Sequence, residues 1–143
     1  MTDPTIDPAT DPILALRCAI HAVLIADAEL VALLGGPRIH DPVPRGASGV
    51  YVAYGDARVR DRSGDDAAIH EHDLTLTVWS RPGGPAPALA VAARIAALLD
   101  DASLVLDGHR LVLLRLASEE VKRDERADLS RVLMRFSALT ERL

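Results

Sequence analysis

The chain is poor in most of the residues that side-chain chemistry relies on. It has a single cysteine, Cys18, which excludes an intramolecular disulfide and any cysteine-rich zinc or iron–sulfur centre. Cys18 lies in an apolar run, so its expected place is the core. Only four aromatic side chains occur, Tyr51, Tyr54, Trp79 and Phe136, and the formal charge is −5 from 16 basic and 21 acidic residues. A nucleic-acid binder needs a basic footprint to neutralise phosphates and, for single strands, aromatic faces for the bases, so that class is excluded. No segment reaches the roughly 18 uninterrupted apolar residues of a membrane span. Arg17, His21, Asp27 and Glu29 interrupt the most apolar stretch. The opening MTDPTIDPATDP is acidic and punctuated by proline, whereas a secretory signal runs from basic to apolar. The expectation is a soluble protein with no membrane partner, remaining where it is made.

Catalytic signatures are missing as well. Gly-x-Ser-x-Gly does not occur, and Cys18 has no basic neighbour in position to activate it. Gly83-Gly84 does not continue as a phosphate-binding loop, and Gly35-Gly36 ends a helix where such a loop would open one. The acidic pairs Asp65-Asp66, Asp100-Asp101 and Glu119-Glu120 fall in expected turns, where water keeps carboxylates ordinary. The sequence therefore reads as a non-enzyme and calls for no cofactor.

What is present suits one folded unit. With 143 residues, 49% hydrophobic and 26% charged, the chain has the size and composition of a single domain, expected over residues 12–143 behind a flexible acidic lead, 1–11. Asp11 as N-cap and Pro12 at the first helical position open a helix with Ile13, Leu16, Ala19, Ile20, Val23 and Leu24 at helical spacing. A second short helical turn, 27–34, stops at Gly35-Gly36-Pro37. Arg38 to His40 reads as a short edge strand and Val50 to Tyr54 as a buried one, continuing past Gly55 to Arg60. Residues 61–68 form an exposed hairpin tip, and the partner strand runs from Ile69 to Arg81. Ala88 to Leu99 is a helix with Leu89, Ala92, Ile95, Ala96 and Leu99 on one side, and Arg110 to Ala117 and Leu129 to Leu139 are strands joined by a polar turn, 119–128.

The predicted architecture is α+β: a mainly antiparallel four-stranded sheet with two helices packed on one face, in the order α(α)-β-β-α-β-β. Alternation places His72, Leu74, Leu76 and Val78 on one face of their strand, and Val132, Met134, Phe136 and Ala138 on one face of the last. The other face keeps Thr75, Thr77, Trp79, Arg131, Leu133 and Arg135, a mixture suited to solvent or to another subunit. The run Arg58, Arg60, Arg62, Asp65 and Asp66 carries both signs and is a second candidate interface, weighed against a solvated hairpin end. The densest polar cluster is His70-Glu71-His72-Asp73. On a strand its imidazoles point to one face and its carboxylates to the other, which leaves two ligands per face and favours a solvated strand start. A small metal- or ligand-binding module using His70, His72 and nearby acids is the alternative function. His21, His40 and His109 are scattered and read as surface or half-buried residues.

The ordered series "LIADAELVALLGG", "RIHDPVPRGASGVYVAYGD", "HEHDLTLTVWSRPGG", an alanine-rich helix, "GHRLVLLRL" and "RVLMRFSALTE" resembles the tail-completion, or tail-terminator, family of long-tailed phages and gene transfer agents. The resemblance covers Asp11 to Glu141, and Trp79 with Ser80 and Arg81 marks its central strand end. It implies a small α+β subunit of the virion or gene transfer agent particle, assembled in the bacterial cytoplasm. Such subunits form a hexameric ring that caps the tail tube, stops its polymerisation and joins it to the head–neck connector or stopper protein. DNA passes through the lumen without specific binding, to which a net acidic subunit is suited. The family offers no catalytic residues to carry over. The Asp-Pro lead lies outside the shared core. Ring closure requires one surface of a subunit to meet a different surface of the next, and the mixed sheet face is a candidate for one side.

Overall fold

Asp11 and Pro12 start the first helix as their types require: the Asp11 carboxylate accepts a hydrogen bond from the Ile13 N–H at 3.0 Å. The computed structural model describes residues 10–41 and 43–143, so the lead assigned to 1–11 lies outside the described residues except for Thr10 and Asp11. The elements are α1 (Pro12–Ala26), α2 (Ala28–Leu34), β1 (Ile39–His40), β2 (Gly49–Asp61), β3 (Ile69–Arg81), α3 (Ala86–Leu99), β4 (His109–Asp124) and β5 (Leu129–Arg142). Gly35 ends α2 in the left-handed conformation at φ 72°, which lets its N–H reach back to the Ala32 and Val31 carbonyls.

The strands form one sheet in the order β1-β2-β3-β5-β4. The α+β class stands, but the expected four-stranded antiparallel sheet is a five-stranded mixed one, because β1 pairs parallel with β2 through Ile39↔Val52 and His40↔Ala53. Three helices replace the expected two, since 27–34 supplies a complete short helix. The expected strand Arg110 to Ala117 runs on to Asp124, so Glu119-Glu120 lie in a strand and the turn shrinks to 125–128. The reason is a pair of bulges, between Leu111 and Leu113 and between Leu116 and Ser118, which break the alternation on which the reading relied while leaving the pairing to β5 intact.

The helices cover the face that carries Val52, Leu76, Val78, Val132, Met134 and Phe136. From α1 come Ala15, Leu16, Ala19, Ile20 and Leu24; from α2, Leu30 and Leu34. The buried side of α3 is Ala88, Val91, Ala92, Ile95 and Leu99, so Leu89, expected inside, is 39% exposed. Its alanines bring the helix close to the sheet. Cys18 is also exposed, contrary to its expected core position, because α1 is apolar on its outer side too.

Asp27 ties the three helices together. Its N–H reaches the Leu24 carbonyl at the end of α1, and its Oδ2 accepts from the Leu30 N–H at 2.9 Å to cap α2. Arg94 of α3 grips the same carboxylate in bidentate fashion, Nε at 2.8 Å and Nη2 at 2.7 Å, and also faces Glu29. The Arg94 bond and the Leu30 N–H together hold the Asp27 carboxyl down at about 2. Asp27→Asn keeps a cap oxygen but loses the ion pair, and Asp27→Ala loses both. Melting temperatures are expected in the order wild type, Asp27→Asn, Asp27→Ala, which calorimetry checks.

Candidate assembly surface

The side of the sheet away from the helices has no element over it among the described residues. Strand alternation brings Arg58, Arg60, Glu71, Asp73, Thr75, Thr77, Trp79, Arg131 and Arg135 onto this open face. Of the sequence-predicted interface residues, Asp65 and Asp66 do not join them; they sit exposed in the loop between β2 and β3.

The loop end of the face is a ladder of ion pairs across β2 and β3. Arg58 lies 3.4 Å from Asp73, Arg60 lies 2.5 Å from Glu71 and 3.3 Å from Asp73, and Arg62 lies 2.5 Å from Glu71. Hydrogen bonds from Arg62 and Arg60 lower the Glu71 pKa, and the Glu71 bond raises that of Arg60. The arginines expected to reach a partner are thus already matched within the hairpin. On β5, Arg135 reaches Glu120 of β4 at 3.4 Å, with Lys122 3.9 Å from the same carboxylate.

The other end is aromatic and cationic. Tyr51 and Trp79 stack with centroids 6.4 Å apart at 15°. Arg131 lies over the Trp79 ring at 5.5 Å and Arg38 over the Tyr51 ring at 6.0 Å, and the His40 ring is 6.0 Å from that of Tyr51. Trp79, Lys122, Arg123, Asp124, Leu129 and Arg131 line a shallow cleft beside this stack. Sequence reasoning missed Tyr51, Arg38 and His40 as members of the face. The signal was the Tyr51↔Trp79 register, concealed by a shift in β2 between Tyr54 and Ala57. Gly55 sits in that shift, where a Cβ would lie 3.3 Å from Thr75.

The histidine cluster is turned the other way. His72 is buried rather than a solvated strand start, with Nε2 2.9 Å from Thr140 Oγ1, and His109, expected at the surface or half-buried, is fully buried too. Burial first, then the neighbouring His70 and His109, push the His72 pKa down to about 4. Glu71 and Asp73, which the metal-binding alternative requires, lie on the opposite face in the arginine ladder. Among the described residues no three His, Cys, Asp or Glu side chains stand together as a metal site.

Comparison with known proteins bears on what this surface is for. Residues 18–141 match the family described as Tail completion protein gp17. The chain belongs to the tail completion protein gp17 family. As a member of that family it is a tail structural protein. A similar solved chain comes from the "Virion of native gene transfer agent (GTA) particle", at 38% identity and a TM-score of 0.81, covering 89% of this tail completion protein and 95% of that chain. No curated protein matches it. No described helix is long and apolar enough to cross a membrane.

Proposed function

We propose that this tail completion protein is the tail terminator of a phage or gene transfer agent particle. It assembles as a hexameric ring that caps the tail tube, stops its polymerisation and joins the tube to the head–neck connector. DNA passes through the lumen without specific binding. The carrying observation is the match to a chain of a gene transfer agent virion along nearly the full length of both chains. The physics is compatible: the protein acts by shape, through surfaces that meet other copies and other tail proteins, and not by turnover of a substrate. The open sheet face, with Trp79 and Arg131 at its aromatic end, is a contact surface of that assembly, since aromatic and arginine side chains dominate interface energetics.

Adding the purified protein to polymerising tail-tube protein tests this reading. Tubes are expected to stop growing and to carry a ring at one tip in negative stain. Unaltered growth with bare tips contradicts the proposal. Trp79→Ala is expected to raise the concentration needed for capping by roughly 30-fold, the equivalent of about 2 kcal/mol at an interface hot spot.

A further inference from the structure

The sheet has a free run of backbone on each border, and the two runs match in length. β1 covers the outer edge of β2 only at Val52 and Ala53, so Tyr54 to Asp61 has no strand beside it on that side. On the opposite border the first half of β4 is covered. Val105 bridges to Arg110, the Leu114 carbonyl accepts from the Asp101 N–H at 2.8 Å, and the Leu116 N–H donates to the Asp100 carboxylate at 2.9 Å. From Ala117 to Asp124 no backbone group among the described residues bonds this edge, and every position is exposed. An edge of that length, with unpaired N–H and C=O groups, is a template for another strand.

Direction and register both suit the two runs to each other. β2, β3, β5 and β4 pair antiparallel in turn, so β4 runs opposite to β2. A second copy in the same orientation therefore offers its β2 to β4 in antiparallel fashion. Laid end to end, the runs set Asp61 opposite Ala117 and Tyr54 opposite Asp124; pairing stops where β1 begins on one copy and where Asp100 and Asp101 cover β4 on the other. This register brings Arg58 beside Glu120 and Asp56 beside Lys122, all on the open-face side, since Glu120 and Lys122 pair with Leu133 and Arg131 and Asp56 lines the same cleft as Arg58. Asp56 has no ion pair among the described residues, and the other three have no opposite charge in their own chain nearer than 3.4 Å. A slip of two residues sets Arg58 against Lys122 or Asp56 against Glu120, and a slip of one turns the open face of one copy to the helix side of the next.

We infer that Ala117 to Asp124 of β4 pairs antiparallel with Tyr54 to Asp61 of β2 in a second copy, head to tail, so that one sheet runs on through the ring. The inference rests on the ring reading and names the contact that closes it. Asp61 is level with Thr140 through His70, whereas Ala117 is level with Phe136 and Arg135. The step between copies is thus about 15 Å along the strands, across four strand spacings of about 19 Å in all. Strands tilted by about 40° to the ring axis cancel that step, inside the range of about 35–45° found in closed sheets. Pairing β4 with β4 about a two-fold axis stops at a dimer and leaves the β2 edge bare.

Hydrogen exchange of the wild-type protein tests the contact without substitution. Amides of 54–61 and 117–124 are expected to exchange at least about tenfold more slowly in particles than in the isolated subunit, because pairing protects them. In a Cys18→Ser background, an Ala57→Cys, Val121→Cys variant is expected to give, on mild oxidation of particles, a ladder beyond the dimer on a non-reducing gel. The two positions face each other in the proposed register, and bridging requires Cα atoms within about 7 Å. A Thr77→Cys, Val121→Cys variant in the same background is expected to give no ladder. Equal exchange in particles and subunits, a ladder as strong from position 77 as from 57, or dimers linked through position 121 alone would overturn the contact while rings seen on the tubes keep the ring reading. Particles whose tubes carry no ring of this protein overturn both.

Discussion

Phe136→Ala is expected to cost about 3–5 kcal/mol of folding free energy, the usual loss when a buried phenyl ring is deleted from a packed core. Phe136 is 1% exposed on β5, between β3 and β4 in the sheet, and pairs with Leu74 on one side and Leu116 on the other. Leu76 and Ile95 are buried in the same core, where close packing limits how far the neighbours can collapse into the hole. A loss of that size is a large part of the 5–15 kcal/mol typical of a whole domain. Denaturant unfolding is expected to show a much lower midpoint. Phe136→Leu, which refills most of the volume, is expected to recover the larger part. A Phe136→Ala midpoint within experimental error of wild type contradicts the packing described.

The second large effect is with pH. His72 is neutral in the fold, with its pKa pushed from 6.5 down to about 4 by burial and by His70 and His109; Asp11 and Asp73 work in the opposite direction. In the unfolded chain it titrates near the ordinary value, so below that value the unfolded state binds the proton more readily. The stabilisation is therefore fully present above about 6.5 and is lost as pH falls from there through about 4, with a total of about 3 kcal/mol. Asp27 titrates in a separate window: its lowered carboxyl stabilises above about 3.8 and gives up that contribution only toward about 2. Between pH 7 and pH 4 the unfolding free energy of the wild type is expected to drop by about 3 kcal/mol more than that of a His72→Leu, Thr140→Val double variant. Replacing both partners avoids leaving the buried Thr140 hydroxyl unpaired. Parallel pH profiles would place the proton elsewhere.

How far these features were legible in the sequence depends on local periodicity. The Asp11-Pro12 start of α1, the Gly35 stop of α2 and the limits of β3 are written in capping residues and clean alternation, and each matches its element. β4 was not legible beyond Ala117, because two bulges reset the in–out pattern and its last eight positions are exposed on both faces. The open face was read in part. Counting back from the hairpin tip, where Arg58 pairs with Asp73, places Trp79 opposite Val52 and turns Tyr51 toward the core. The one-residue shift near Gly55 instead sets Tyr51 beside Trp79, and no sequence signal other than the glycine marks it. The depth of His72 was hidden because a polar tetrad looks like a solvated strand end; only the packing of β5 and its Thr140 shows otherwise. The exposure of Cys18 was hidden for the opposite reason: a helix apolar on all sides does not say which side faces the sheet.

The most direct test of the account is electron microscopy of particles from cells in which this gene is deleted, with tail lengths measured and heads counted for attached tails. The account predicts tubes of irregular, extended length that are not joined to heads, with normal lengths and joining restored by the wild-type protein supplied in trans. Tubes of uniform normal length attached to filled heads in the deletion strain would contradict it.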